Sequence, residues 1–469
     1  PTAQTTPAPP NVLLYVIDGG GADLMSLYGY ERPTTPNIEA LAKEGVVFEA
    51  ARVPSAWTKS STASFMTSLH HSVLGGFTTN EDRIPKGVVT MAQHFGAAGY
   101  QTAVLTTNPF AASMSGLEQG VDRFRDKGAQ HNSASSVELH TDFLEWSAGL
   151  SSTPWWAHIQ TTDVHEPHQP VSPFAGRYAT PERHEEFKAW WDALRELGAI
   201  QRDTVLGRYQ AQLAQMDVDP RDFFRTQWDL YDETMAHNDA SLGDLVAELK
   251  ARGQWDNTLF ILTADHGHPA GSFSRFGRGL IEPPPADWEG ALADSYRTRV
   301  PLVVVWPGHI PAGVRIEEPV SLIDLLPTVL ELADLPLPRV RQGQSLAPLL
   351  TGDGTWRPRP VVLEQVQAYK PTGEMVGHLE LIDGRWAASL EVMPSSLQSI
   401  YQQTDSLKTA GGWRAARPHR PSTPSLLLYD IETDPFCTTN VNAAHPDRVA
   451  AYTEQLQTIW AAHQALGAT

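Results

Sequence analysis

A short apolar run, NVLLYVI (Asn11 to Ile17), ends in Asp18 and the three glycines Gly19 to Gly21, and no other feature limits the fold of this chain so tightly. Because apolar side chains follow one another without alternation, both faces of such a strand must be covered, which is the condition of a parallel strand inside an α/β sheet. The glycines let the backbone turn away at the strand's carboxyl end, where open α/β sheets hold ligands. Similar runs predict strands at Thr102 to Leu105, Trp155 to Ile159, Leu259 to Leu262 and Leu302 to Val305. Helical stretches separate them. Leu242, Leu245, Val246 and Leu249 share one face at the i, i+3, i+4, i+7 spacing, and Gly253 provides a stop before the strand that enters Asp265. The expected fold class is α/β, a mainly parallel mixed sheet sandwiched by helices.

At 469 residues the chain exceeds what one compact core encloses, so a large domain with a smaller companion is expected. The Pro/Thr-rich residues 1–10 read as a linker left after signal removal, which favours a periplasmic or secreted protein. Residues 11–370 form the expected catalytic domain, with a charged, Trp-rich helical insertion at 180–230. Pro-rich punctuation around Leu335 to Pro338 and Pro358 to Pro360 puts the start of a smaller C-terminal α+β subdomain near residue 371, running to 469. That subdomain is expected to contain Ile382 to Leu390 and a terminal helix from about Asp447.

The charge balance narrows the function. Against 54 acidic residues stand 35 basic ones, a formal charge of -19, which argues against a nucleic-acid partner. An anionic substrate would need a metal ion or a few placed cations. A single cysteine, Cys437, excludes an internal disulfide and a Cys-rich metal site. No run approaches the roughly 18 to 20 apolar residues that span a bilayer.

Asp18 at one strand end, and the pair Asp265 and His266 at another, are hard and borderline ligands able to converge on one divalent ion at the carboxyl edge of the sheet. Taken singly, each is equally a strand-end residue capping a turn. Between them the hydroxyl-rich segment Ser55 to Thr67 turns into a helix, where Thr58 would sit beside unpaired N–H groups that favour an anion. Ordinary N-capping by Thr58 or Ser60 is the competing reading.

The segments taken together resemble the sulfatase family of the alkaline phosphatase superfamily. NVLLYVIDGGGADLMSLYGYERPTTPNIEALAKEGVVFEAARVPSAWT is similar to the family's opening, TTDVHEPHQP to its histidine segment and NTLFILTADHG to its second metal motif. RVPLVVVWPG, VSLIDLLPTVLELADL, GQSLAPLLTG and LYDIETDPFCTTNVNAAHPDRVAAY follow in the family's order, so the resemblance runs from about residue 11 to 460. It implies an alkaline-phosphatase-like fold and a divalent metal held by Asp18, Thr58, Asp265 and His266, with Thr58 also the nucleophile. It further implies that His165 lies near the ester oxygens and assists the leaving group. His168, Lys59 and Arg299 are candidate substrate contacts, with Arg297 beside the last. For Lys59 an exposed lysine without a role, and for Arg299 fold-level salt bridging, are the competing readings.

Two departures reshape the expected chemistry. Gly19 stands where many sulfatases carry a second acidic residue, which removes an oxygen ligand and favours manganese or zinc over calcium. The family's Cys/Ser-x-Pro-Ser-Arg signature reads Thr58-Lys-Ser-Ser-Thr62, and a threonine cannot be oxidised to formylglycine. Without a geminal diol the enzyme must hydrolyse a threonyl ester by water attack, as threonine-using phosphodiesterases and phosphonate hydrolases of the superfamily do. A small-molecule phosphodiester or phosphonate ester is therefore the favoured substrate class, with sulfate esters as the alternative. A catalytically silent metal-binding relative and a transferase are further alternatives. A second metal is a further alternative: it would draw on Asp163, His165 and His168 with a later histidine such as His268 or His378, but the spacing does not match the Asp-x-x-x-His pattern of two-zinc relatives.

Overall fold

The computed structural model describes residues 8–77, 82–126, 135–150, 153–197, 210–268, 295–368, 374–392, 394, 406–408, 414–416, 426–434, 437 and 439–467. Most of the expected linker lies outside them. Ten short strands come from the first three quarters of the chain: β1 (Asn11–Ile17), β2 (Val46–Phe48), β3 (Ala51–Arg52), β4 (Gln101–Thr106), β5 (Arg123–Asp126), β6 (Trp155–Thr161), β7 (Thr258–Ala264), β8 (Leu302–Val305), β9 (Val314–Ile316) and β10 (Val320–Ser321). Eight of them form one sheet in the order β5-β4-β6-β1-β7-β8-β2-β9, while β3 pairs with β10. β8 alone runs against its neighbours in that sheet; the other pairings are parallel.

β1 sits at the middle of the sheet because both of its faces are apolar. Val12, Leu14 and Val16 enter one core, Leu13, Tyr15 and Ile17 the other, which is why the run carries no polar alternation. Helices α1 (Pro36–Ala42), α2 (Thr58–Thr67), α3 (Met91–Ala97) and α4 (Ser136–Ala148) cover the sheet. They are followed by α5 (Pro181–Glu196), α6 (Gln210–Gln215) and the long α7 (Pro220–Ala251). Asp219 caps α7 by accepting from the Arg221 N–H at 2.8 Å, and Gly253, at φ +67°, takes the left-handed turn after it. Leu242, Leu245, Val246 and Leu249 face the sheet as the spacing requires. The first part of α7 joins α5 and α6 around a small core of their own, built on Phe187, Trp191, Leu213 and Phe223.

Beyond the large sheet, β11 (Val361–Ala368), β12 (Met375–Asp383) and β13 (Trp386–Val392) form an antiparallel sheet. β14 (Ser406–Lys408) pairs with β15 (Arg414–Ala416), and β16 (Leu427–Asp430) completes the sheet against β13. The terminal helix Pro446–Gly467 packs over it through Tyr452 and Leu456. The sheet thus begins at Val361, ahead of residue 371, because the antiparallel partner of β12 precedes it in the chain. Glu364 of β11 fastens this unit to the large domain: it accepts from the Ser72 backbone N–H at 3.0 Å and the Ser72 hydroxyl at 2.7 Å, and pairs with His463 of the terminal helix at 2.6 Å.

Several histidines are buried in these contacts. Burial pushes His70 down to about 3, His140 down to about 4 and His158, inside β6, down to about 3. A group whose folded value is depressed supports the fold while the unfolded chain is also neutral, above about 6.5, and withdraws that support as pH falls towards the folded value. Resistance to denaturant is therefore expected to decline as pH is lowered from about 6.5 to 4. His158→Phe should flatten that slope; urea melts across the range check it, and an unchanged slope would assign the acid loss elsewhere.

Candidate active site

Parallel pairing of β1 with β7 sets Ile17 beside Ala264, so the next residues, Asp18 and Asp265, emerge side by side at the carboxyl edge. Both are fully buried. Asp265 Oδ1 accepts the N–H groups of Gly19 (3.1 Å) and His266 (2.9 Å), and Oδ2 accepts from Gln160 Nε2 at 2.9 Å. Asp18 Oδ2 accepts from Asn108 Nδ2 and, at 3.4 Å, from Gln160 Nε2, whereas its Oδ1 has no hydrogen-bond partner among the described residues. His266 Nε2 lies 3.9 Å from Asp18 Oδ1 and 3.8 Å from Asp265 Oδ2.

The His266 tautomer follows from its other nitrogen. Nδ1 is 2.8 Å from the Gly267 carbonyl oxygen, which can only accept, so Nδ1 carries a proton and Nε2 is the nitrogen turned towards the carboxylates. Thr58 Oγ1 is 3.0 Å from that Nε2 and 3.4 Å from Asn108 Nδ2. Thr58 is the first residue of α2, a helix buried along its whole length, and the N-cap position belongs to Trp57. Its hydroxyl is thus directed at His266 instead of capping the helix, and neither Thr58 nor Ser60 takes the capping role.

Burial, and next the charge of Asp18, push the Asp265 carboxyl above the usual carboxylate range. Two adjacent buried carboxylates and an orphaned Asp18 oxygen are a poor arrangement by themselves. A divalent cation among Asp18, Asp265 and His266, whose ligand atoms lie within 4.8 Å of one another, answers both defects. Gly19 holds φ +71°, which disfavours any side chain, and a Cβ there would stand 3.6 Å from His268 Cδ2.

The remaining expected residues divide. His165 is placed with its Nδ1 2.7 Å from the Glu166 carbonyl oxygen, leaving Nε2 to face outward from that bond. Burial opposes its charge, but Asp18, Glu166 and Asp265 outweigh burial and hold it above the usual histidine range. His168 is buried beside His268, with ring centroids 5.1 Å apart, and burial pushes it down to about 3. Lys59 is fully buried, with Nζ 5.7 Å from the Phe77 ring centroid, and burial pushes it down to about 8; it is not an exposed lysine. Arg299 is taken by an ion pair with Asp23, a second to Glu49 at 3.7 Å and a bond to the Glu49 carbonyl at 2.8 Å, the salt-bridging role. Arg297 contributes its carbonyl to the Gly267 N–H at 2.8 Å.

Asp163 is drawn away from any metal group. It accepts from Ser136 at the start of α4 and lies 3.4 Å from His237 Nδ1. His378 lies in β12 between Gln365 and Glu391. Sequence reasoning missed Asn108, Gln160 and Glu166. Asn108 lies just past β4 and Gln160 within β6, and neither amide carries a spacing signal of its own beyond its place near the carboxyl end of a strand.

The sulfatase family model matches residues 10–335. The chain belongs to the sulfatase family. A model for the C-terminal part of N-sulphoglucosamine sulphohydrolase matches residues 292–381. Human arylsulfatase A is 27% identical over 449 residues, covering 91% of this chain and 82% of the relative. Mouse steryl-sulfatase is 27% identical over 440 residues, covering 78% and 69%. Among solved structures, the phosphonate monoester hydrolase of Agrobacterium radiobacter superposes with a TM-score of 0.68 at 19% identity, covering 97% of this chain and 96% of that one. The curated relatives are sulfatases, and this chain is a sulfatase-family hydrolase. Among the described residues no helix is long and apolar enough to cross a membrane.

Proposed function

We propose that this sulfatase-family chain hydrolyses anionic esters through Thr58, with phosphodiesters and phosphonate esters as the favoured substrates. The observation that carries the reading is the Thr58 oxygen itself, set at the start of α2 and 3.0 Å from His266 Nε2, within the Asp18, Asp265 and His266 group. Asp18, Asp265, His266 and Thr58 would hold a divalent ion, manganese or zinc by the mixed nitrogen and oxygen donors, which when bound would offset charge on the ester's non-bridging oxygens.

The chain's own groups do the rest. Thr58 Oγ1 forms a bond to phosphorus as the bond to the alcohol oxygen breaks, and its proton passes to solvent. Asn108 Nδ2 and the α2 start face the developing negative charge. His165, as the imidazolium with its Nδ1–H donating to the Glu166 carbonyl, delivers its Nε2 proton to the departing alcohol and is left neutral. Water then cleaves the threonyl ester and regenerates Thr58.

The sulfate-ester reading is favoured by the sulfatase relatives. Aryl phosphodiester, phosphonate and sulfate esters, assayed in parallel after reconstitution with manganese or zinc, test the choice. Faster turnover of phosphodiester or phosphonate supports the proposal; turnover of sulfate alone transfers it to the alternative. No turnover of any ester by metal-loaded protein would identify a silent binder, and product formed only with an added acceptor would identify a transferase.

His165→Ala is expected to slow esters of poorly leaving alcohols by about 10²- to 10⁴-fold and activated aryl esters much less. The wild-type rate should fall on the alkaline side as the His165 proton is lost. A leaving-group series across pH measures both, and an equal loss for all leaving groups would remove His165 from this role.

A further inference from the structure

We propose that Glu166, His168 and His268 form a second divalent-cation site, of the zinc or manganese class, next to the Asp18, Asp265 and His266 group. It rests on the metal-dependent hydrolase reading for its setting, but its residues are a separate set. Their ligand atoms lie within 4.8 Å of one another. Two imidazoles and one carboxylate are the mixed donors that borderline transition metals prefer, and three protein ligands leave a position for water or substrate.

His168 makes the case independent of proximity alone. Its exposure is 2%, and among the described residues neither ring nitrogen has a partner in hydrogen-bonding geometry. Buried nitrogens are nearly always satisfied, so an unpartnered imidazole facing two other ligands calls for an occupant. Glu166 Oε1 accepts from Gln227 Nε2 at 2.6 Å and lies 3.5 Å from His268 Nε2. The Gln227 bond aims the carboxylate at the histidines, as partners behind metal ligands do.

Tyr231 links this group to the first. Its ring packs at 5.6 Å from His168 and 5.1 Å from His268, while its hydroxyl donates to the Gly19 carbonyl at 3.0 Å. Gly19 adjoins Asp18, and His268 follows His266 by two residues. The bare Gly19, 3.6 Å from His268 by its virtual Cβ, leaves the room that a side chain there would take.

The test uses the full chain, stripped by chelator and reloaded with zinc or manganese alone. Metal analysis and calorimetry should give two equivalents for wild type and one each for His168→Ala, His268→Ala and Asp265→Ala. His168→Gln, polar and similar in length, guards against misfolding and should weaken the second equivalent by about tenfold or more. With manganese, wild type should show the electron-paramagnetic spectrum of a coupled pair, and His168→Gln that of an isolated ion. One equivalent in wild type that His168→Ala retains and Asp265→Ala loses would overturn the second site and leave the first intact. No bound metal in wild type would overturn both.

Discussion

Replacing Thr58 by alanine is expected to leave a folded, metal-binding protein whose turnover falls by about 10³-fold or more. Alanine is the best helix former and Thr58 occupies the first position of α2, so the helix survives. The lost hydroxyl removes a partner from His266 Nε2 and Asn108 Nδ2, a local cost of about 1 to 3 kcal/mol. Asp18, Asp265 and His266 remain to hold the ion. Thr58→Ser keeps an oxygen at the same place and should retain part of the rate. Trapping with a slow phosphonate or phosphodiester should add the transferred group's mass to the peptide carrying Thr58, in wild type and Thr58→Ser only. If Thr58→Ala turned over at a near-normal rate, direct attack by water would replace the threonyl ester while the family membership stood.

The second large effect concerns Asp265. Asp265→Ala should lose metal affinity by more than the roughly 10- to 100-fold typical of residues behind the ligands, and turnover with it. Wild-type protein should rise in Tm when manganese or zinc is added, since binding to the native state alone stabilises it by about 2.7 kcal/mol at a hundredfold excess over Kd. At the first site the variant has lost its cause for that rise. Without metal the variant is relieved of one of two adjacent buried carboxylates but leaves the Gly19, His266 and Gln160 donors without their acceptor, so the metal-dependent rise in Tm, and not the metal-free Tm, is the diagnostic quantity. Differential scanning calorimetry of both proteins, with chelator and with metal, measures this. A variant that kept full metal stoichiometry and the wild-type Tm rise would place the ion elsewhere.

How far the site was legible follows from which interactions are local. An unbroken apolar run ending in Asp or Asp-His marks a strand end directly, and parallel neighbours align such ends without further information, so Asp18, Asp265 and His266 could be named from order and pattern alone. Thr58 was legible as a residue at a helix start, but its competition with capping was not resolvable, because a hydroxyl's direction is set by what lies across from it. Only the fold brings His266 to 3.0 Å from that oxygen.

The partners that orient the group were harder to read. Asn108 and Gln160 come from β4 and β6, far along the chain from the residues they hold, and single amides carry no spacing signal. The same holds for Glu166, which joins His168 and His268 across about a hundred residues of sequence, while Asp163, nearer in pattern to a metal ligand, is spent on the start of α4. Arg299 likewise looked like an anion contact until Asp23 and Glu49 were found around it.

The sequence alone therefore determined the sheet-centred α/β architecture, the family and the strand-end carboxylates, since hydrophobic burial and strand period act residue by residue along the chain. Tertiary structure decided the aim of Thr58, the burial of Lys59 and the grouping of Glu166 with His168 and His268. Those depend on side chains from distant elements sharing a low-dielectric space, where hydrogen bonds and charges are settled by distance and by exclusion of water.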